Sequence, residues 1–208
     1  MTLFRHPIIV LDTETAGLPE QPGAKPIEVA AVVLGTDGRI VEEYSSLVRS
    51  YDTPEPPSYA NFALQLTGIK WEEVLAAPTV ETVLAELEGL AARHNTRFVA
   101  AFNRDFDRLM MGRLGWKDEW KWCRCIMLRA MIPHMRDAGK LWASNPRHPQ
   151  FNPDLPYLFP PLTPNGKGKM SVTEFFGLEI EGDAHRALAD AKVSARVMVE
   201  IVKREAAP

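Results

Sequence analysis

The chain has 208 residues, 46% apolar and 25% charged, with a formal net charge of -3. That composition predicts a soluble globular protein large enough for a full core. It excludes a chain that is basic throughout, and no apolar run approaches the roughly 20 residues of a membrane-spanning helix. Cys123 and Cys125 lie one residue apart and match no standard zinc spacing, and the residues before Ile8 lack the apolar core of a secretory leader, so a reducing cytoplasm is the expected location.

Ile8-Ile9-Val10-Leu11 is a short, β-branched apolar run and predicts a buried strand. It leads into Asp12-Thr13-Glu14. Residues i and i+2 of a strand share a face, so the two carboxylates are expected side by side. Ala16-Gly17-Leu18-Pro19 breaks the strand, and a loop follows to residue 26. Ile27–Leu34 and Ile40–Val48 predict two further strands around the turn Gly35-Thr36-Asp37-Gly38, which makes an antiparallel meander. Residues 51–60 read as loop and 71–74 as a short helical piece. Pro78-Thr79 opens a helix to about His94, with Val80, Val83, Leu84 and Leu87 on one face.

Phe98–Phe102 predicts a short buried strand, and Asn103 is placed to cap the next helix. On that helix Asp107, Met110, Met111 and Leu114 fall at i, i+3, i+4 and i+7. Asp107 therefore heads the stripe that should be buried, where a carboxylate needs a partner; Phe106 beside it reads as core. Residues 125–132 are an apolar strand or helix start. Residues 133–169 hold 8 of the 17 prolines, with Trp142, Phe151, Tyr157 and Phe159 among them, and read as an ordered insertion in a single domain spanning 1–208. A short helix over 171–178 is expected to end at Gly177, and a last helix to run from about Asp183 to Arg204.

Charge is unevenly placed. Lys plus Arg against Asp plus Glu is 7 to 14 over residues 1–103, 12 to 6 over 104–169 and 5 to 7 over 170–208. The middle segment is a candidate phosphate-attracting face.

Three acidic motifs follow one another: Asp12-x-Glu14 on a strand, Asn103-x-x-Phe106-Asp107 at a strand-to-helix junction, and His185-x-x-x-x-Asp190 at the last helix. Carboxylates held together repel unless a cation lies between them, and oxygen-liganded Mg²⁺ or Mn²⁺ is the natural candidate. The motifs, their order and the stretches Leu66-Thr67-Gly68-Ile69 and Ala184–Ala191 resemble the DEDDh family of 3′–5′ exonucleases, typified by the proofreading subunit of bacterial DNA polymerase III. The resemblance spans nearly the whole chain except residues 133–169.

The resemblance implies a ribonuclease-H-like α/β fold, with a mixed sheet (a three-strand antiparallel meander plus parallel strands) flanked by helices. It implies metal-dependent release of 5′-mononucleotides from a nucleic acid with a free 3′ end, expected to be single-stranded DNA. Two Mg²⁺ or Mn²⁺ ions would be held by Asp12, Glu14, Asp107 and Asp190, with Asp12 bridging them and Asp107 beside the second ion. His185 would be the general base. Thr15 and the Ala16 backbone would meet the terminal 3′-hydroxyl, and Leu18 the last base. Asn103 and Thr67 complete the substrate set, although Thr67 stands where the family often has His.

Residues five apart on a helix differ by about 140° in direction, so His185 and Asp190 cannot both face one point from a regular helix. The family avoids this by placing the His in the loop before the helix, so the resemblance implies that His185 is mobile and that the helix begins after it. Two other readings stay open: an exoribonuclease acting on short RNA, and a catalytically inactive nucleic-acid-binding domain. No polymerase-like stretch or tethering tail is apparent, so the expectation is a free-standing nuclease of repair, recombination or turnover.

Overall fold

The structure, a computed structural model, describes residues 2–117, 119–130, 173, 176–179 and 185–206. Its centre is a five-stranded sheet in the order β3-β2-β1-β4-β5. Strands β1 (Ile8–Thr15), β2 (Pro26–Leu34) and β3 (Ile40–Leu47) form the antiparallel meander. Strands β4 (Phe98–Ala101) and β5 (Lys121–Trp122) add to β1 in parallel. The helices are α1 (Asn61–Thr67), α2 (Trp71–Ala76), α3 (Val80–Arg93), α4 (Arg104–Arg113) and α5 (Ala187–Ala206). Residues 126–130 are also helical. No described helix is long and apolar enough to cross a membrane.

Strand alternation divides the core into two layers. Ile8, Val10, Ala30, Val32 and Ala100 face α5, where they meet Ala187, Ala191, Val197, Met198 and Ile201. Ile9, Leu11, Val29, Ala31 and Val99 face the other way, against Val83, Leu87 and Leu90 of α3 and Met111 of α4. With helices on both faces, β2 is buried along its whole length, as a continuous apolar strand requires. The contact between α5 and the sheet is rich in alanine, so backbone approaches backbone closely and the start of α5 is drawn against the end of β1.

Most predicted elements form, and the departures have physical causes. Helix α1 was not expected: Phe62, Leu64 and Leu66 alternate with period two, and Thr67 is the only residue of α1 that is buried. Its end is set by Gly68 at φ +71, a left-handed cap that donates to Leu64 O. Strand β5 is two residues long, below what periodicity can register. The alternative left open at 125–132 resolves to helix over 126–130. Phe106 is partly exposed rather than in the core. Gly177 takes a left-handed φ of +66 beside helical Phe176, as expected of a helix end. The expected insertion at 133–169 lies outside the described residues.

Helix α5 starts at Ala187, not at Asp183. His185 has φ +65, which cannot be continued as a right-handed helix, so it stands in the turn before α5.

Candidate active site

The alternation that builds the core also builds the site. Asp12 and Glu14 continue the Ile8–Val10 face past its apolar end, towards α5. Asp190 lies in the first turn of α5 and faces them. Each of Asp12, Glu14 and Asp190 offers a carboxylate oxygen within 4.8 Å of the other two. Asp107 stands outside that group. It is 3% exposed in the first turn of α4, and it accepts a hydrogen bond from the Thr13 hydroxyl at 2.9 Å. Thr13 points to the face opposite its neighbours, so one tripeptide serves both sides of the sheet.

The electrostatics of this cluster are those of buried anions that repel one another. Burial pushes the Asp12 carboxyl well above its usual range, and the charges of Asp107, Asp190, Glu14 and Glu28 push further. Glu14 is raised to about 8 by burial and then by Asp190, Glu28 and Asp107, against a lowering by Arg186. Burial raises Asp107 to about 7, opposed by its hydrogen bonds from Thr13. Asp190 is raised to about 6 by burial and by Glu28. Convergent hard oxygen donors held against their own repulsion fit a divalent cation.

A fifth acid belongs to this neighbourhood. Glu28 sits opposite Glu14 in the β1–β2 register and is 2% exposed. Its carboxylate accepts from the Arg186 guanidinium at 2.7 Å and from the Ala187 backbone N–H at 3.0 Å. The first N–H of α5 is thus satisfied by a side chain from a distant strand. Sequence reasoning passed over Glu28 because it lies within an apolar strand; an acid in a wholly buried run was the available signal.

The family profile of RNase T exonucleases matches residues 9–153, well over half of the chain. The chain belongs to this exonuclease family. Its motifs are of the DEDDh type, and its sheet, with parallel and antiparallel strands between helices, is the ribonuclease-H-like exonuclease fold. No curated protein matches it in sequence.

Among solved structures, it is similar to a full-length 3′-exonuclease at 18% identity and a TM-score of 0.65, covering 97% of this chain. The chain spans 62% of that protein's length. It is similar to the nuclease domain of 3′hExo, a DEDDh family member bound to rAMP, at 19% identity and a TM-score of 0.65, covering 95% of this chain and 92% of that one. It is also similar to S. pombe Pop2p in a form bound to Mg²⁺ and Mn²⁺, at 16% identity and a TM-score of 0.58, covering 96% of this chain and 84% of that one.

The residues expected on the substrate side stand where β1 ends. The β1–β2 register slips after Glu14, so Thr15 pairs with Pro26 and the chain turns out of the sheet. Thr15 donates its hydroxyl to Gly17 O at 2.8 Å, and the Ala16 N–H donates to Lys25 O at 3.0 Å. Leu18 follows, 62% exposed. Gly17 lies so close to Tyr59 that a Cβ there would come within 2.8 Å of its ring.

Arg113 of α4 donates to the carbonyls of Pro19, Gln21 and Ala24, tying the turn to the helix that bears Asp107. Sequence reasoning gave Arg113 no role. Asn103 occupies the N-cap position of α4, but its side chain makes no capping bond there. Thr67 is buried, with its hydroxyl donating to Ala63 O and accepting from Ile69 N–H. Beyond this turn, Arg108, Arg113 and Lys117 line a cavity of about 560 Å³ with Trp116 and Trp122.

Proposed function

We propose that this protein is a metal-dependent 3′–5′ exonuclease that removes 5′-mononucleotides from single-stranded DNA. The observation that carries the reading is the convergence of Asp12, Glu14 and Asp190, from two elements far apart in sequence, onto one point. Repelling acids are maintained there at a cost in stability, which is accounted for by a bound cation.

Asp12, Glu14, Asp107 and Asp190 would hold two Mg²⁺ or Mn²⁺ ions. Such a pair, when bound, activates water, screens the phosphate and stabilises the departing oxygen. The side chains divide the remaining work. His185 accepts the proton of the attacking water, a role open to an imidazole nitrogen. The water oxygen joins the terminal phosphorus as the bond to the preceding 3′-oxygen breaks, which frees a 5′-mononucleotide and a new 3′-hydroxyl. Thr15 and the Ala16 backbone meet the terminal 3′-hydroxyl; with the Ala16 N–H given to Lys25, the contact falls to the carbonyl side. Leu18 lies against the last base, and Asn103 and Thr67 flank the strand. Arg108 and Lys117 offer positive charge to phosphates further back, with Trp116 and Trp122 beside them.

We read residues 1–208 as one exonuclease domain with an insertion at about 133–169. Two free cysteines fit a reducing cytoplasm. A second reading keeps the chemistry and makes the substrate RNA; a similar nuclease domain that binds rAMP favours it. The test is digestion of matched 3′-labelled DNA and RNA, single- and double-stranded, with Mg²⁺, Mn²⁺ or EDTA. Metal-dependent mononucleotide release, fastest from single-stranded DNA, is expected. Release from RNA alone would move the assignment to the second reading, and activity undiminished in EDTA would remove the metal from both.

A further inference from the structure

We infer that Glu28 and Arg186 are positioning residues that fix the start of α5 and thereby hold His185 at the reacting phosphate. The inference rests on the exonuclease reading for what His185 does. The contacts themselves come from the fold.

Glu28 is a poor choice for a merely structural position. It is 2% exposed, and its neighbours include Glu14, directly opposite in the strand register, as well as Asp12 and Asp190. A fifth carboxylate beside such a cluster adds repulsion, so something must offset it. The offset is a set of bonds to the segment joining His185 to α5. Arg186 donates through Nη2 at 2.7 Å and through Nε at 3.2 Å to both carboxylate oxygens, and the Ala187 N–H donates at 3.0 Å. A carboxylate that accepts the first N–H of a helix is favoured by charge and by geometry.

Glu28 therefore caps α5 from a distant strand, and that strand is hydrogen-bonded to the one that carries Asp12 and Glu14. The consequence for His185 is direct. His185 precedes Arg186, and its φ of +65 is a left-handed backbone that few non-glycine residues adopt. The residues after it are pinned by Glu28, so the turn has a fixed end next to the acidic cluster. Arg186 pairs with Glu28 while its side chain remains 44% exposed. The same guanidinium lowers the negative potential at Glu14.

The experiment is a double-mutant cycle between Glu28→Ala and His185→Ala, read as kcat and KM on a single-stranded oligonucleotide with Mg²⁺. Amide hydrogen exchange at residues 187–190 is measured alongside. Glu28→Ala is expected to lower kcat by roughly tenfold to a hundredfold, the range for residues that orient a reacting group, with KM changed less than about threefold. In the His185→Ala background the same change should lower kcat by less than about threefold, because the group it positions is gone. Glu28→Gln, which keeps an oxygen for the Ala187 N–H, should recover part of the loss.

An equal kcat loss in both backgrounds, or no loss in either, would overturn the inference. If Glu28→Ala does not fold, Arg186→Ala, altered at a half-exposed side chain, enters the same cycle with the same outcomes. If the wild-type protein cleaves no nucleic acid, the exonuclease reading fails on its own. Hydrogen exchange then decides the cap: faster exchange at residues 187–190 in Glu28→Ala supports it, and unchanged exchange removes it.

Discussion

The Thr13 hydroxyl donates to Asp107 Oδ1 at 2.9 Å in a buried bond between residues 94 positions apart. Thr13 is the residue between Asp12 and Glu14, and it projects from the opposite face of β1. The spacer of the first acidic motif thus fastens β1 to the helix that carries the second. Thr13→Val keeps the shape and removes the donor. A buried carboxylate left short of a partner costs about 1–3 kcal/mol, so the melting temperature should fall. Thr13 also opposes the rise that burial imposes on Asp107, which stands at about 7. Without it Asp107 protonates more readily, and the acidic limb of the pH–rate profile should move to higher pH. An unmoved profile in Thr13→Val would detach Asp107 from the reaction.

Asp12 is pushed up by burial and by four neighbouring acids. Asp12→Asn removes the charge at the centre of that repulsion. Nuclease activity should drop by roughly a thousandfold, corresponding to about 4 kcal/mol of lost transition-state stabilisation. In EDTA at pH 8 the variant should melt at or above the wild-type temperature, and the rise in melting temperature on adding Mn²⁺ should disappear. Activity within tenfold of wild type would exclude Asp12 as a metal ligand.

Stability of the metal-free protein should fall as pH rises. Glu14 at about 8, Asp107 at about 7 and Asp190 at about 6 all lie above their values of 3.8 to 4.5 in an unfolded chain. Between those limits the folded state binds more protons than the unfolded state, so the stability these three groups contribute is fully present below about pH 4 and is lost as pH rises through 6 to 8. Glu42, held low by its hydrogen bonds from Arg93 and His94, acts in the opposite sense but only in acid. Thermal melts in EDTA from pH 5.5 to 8.5 should show the decline, and Mg²⁺ or Mn²⁺ should flatten it. A rising curve in EDTA would contradict the buried acidic cluster.

Leu18 and Arg113 should separate substrate binding from loop integrity. Leu18 is 62% exposed, so Leu18→Ala should leave the melting temperature unchanged while raising KM several-fold through lost contact with the terminal base. Arg113 holds three carbonyls of the same turn. Arg113→Ala should cost about 1.5–3 kcal/mol and raise KM as well. Equal melting temperatures for the two variants would show that the clamp is dispensable.

Much of the fold was legible in the sequence because it is written in local patterns. The β-branched run before Asp12 announced β1, the Gly-Thr-Asp-Gly turn announced the meander, and the stripe from Val83 to Leu87 announced α3. The parity of Asp12 and Glu14 put them on one face, and Asp107 at the head of an apolar stripe announced its own burial. The family resemblance placed His185 before the last helix, and the helix begins at Ala187. Where the pattern was weak the reading failed. Helix α1 buries only Thr67 and shows strand-like alternation, and β5 is too short to have a period.

Tertiary structure alone decided the relationships between distant residues. Thr13 with Asp107, Arg113 with the Pro19–Ala24 carbonyls, and Glu28 with Arg186 and Ala187 are side-chain bonds across long separations. Periodicity reports which face a residue occupies, and motif order reports which chemistry is present. Neither specifies which strand lies beside which helix end. That depends on the close packing of α5 on the sheet, which brings Asp190 to Asp12 and Glu14 and lets a glutamate on β2 cap the helix.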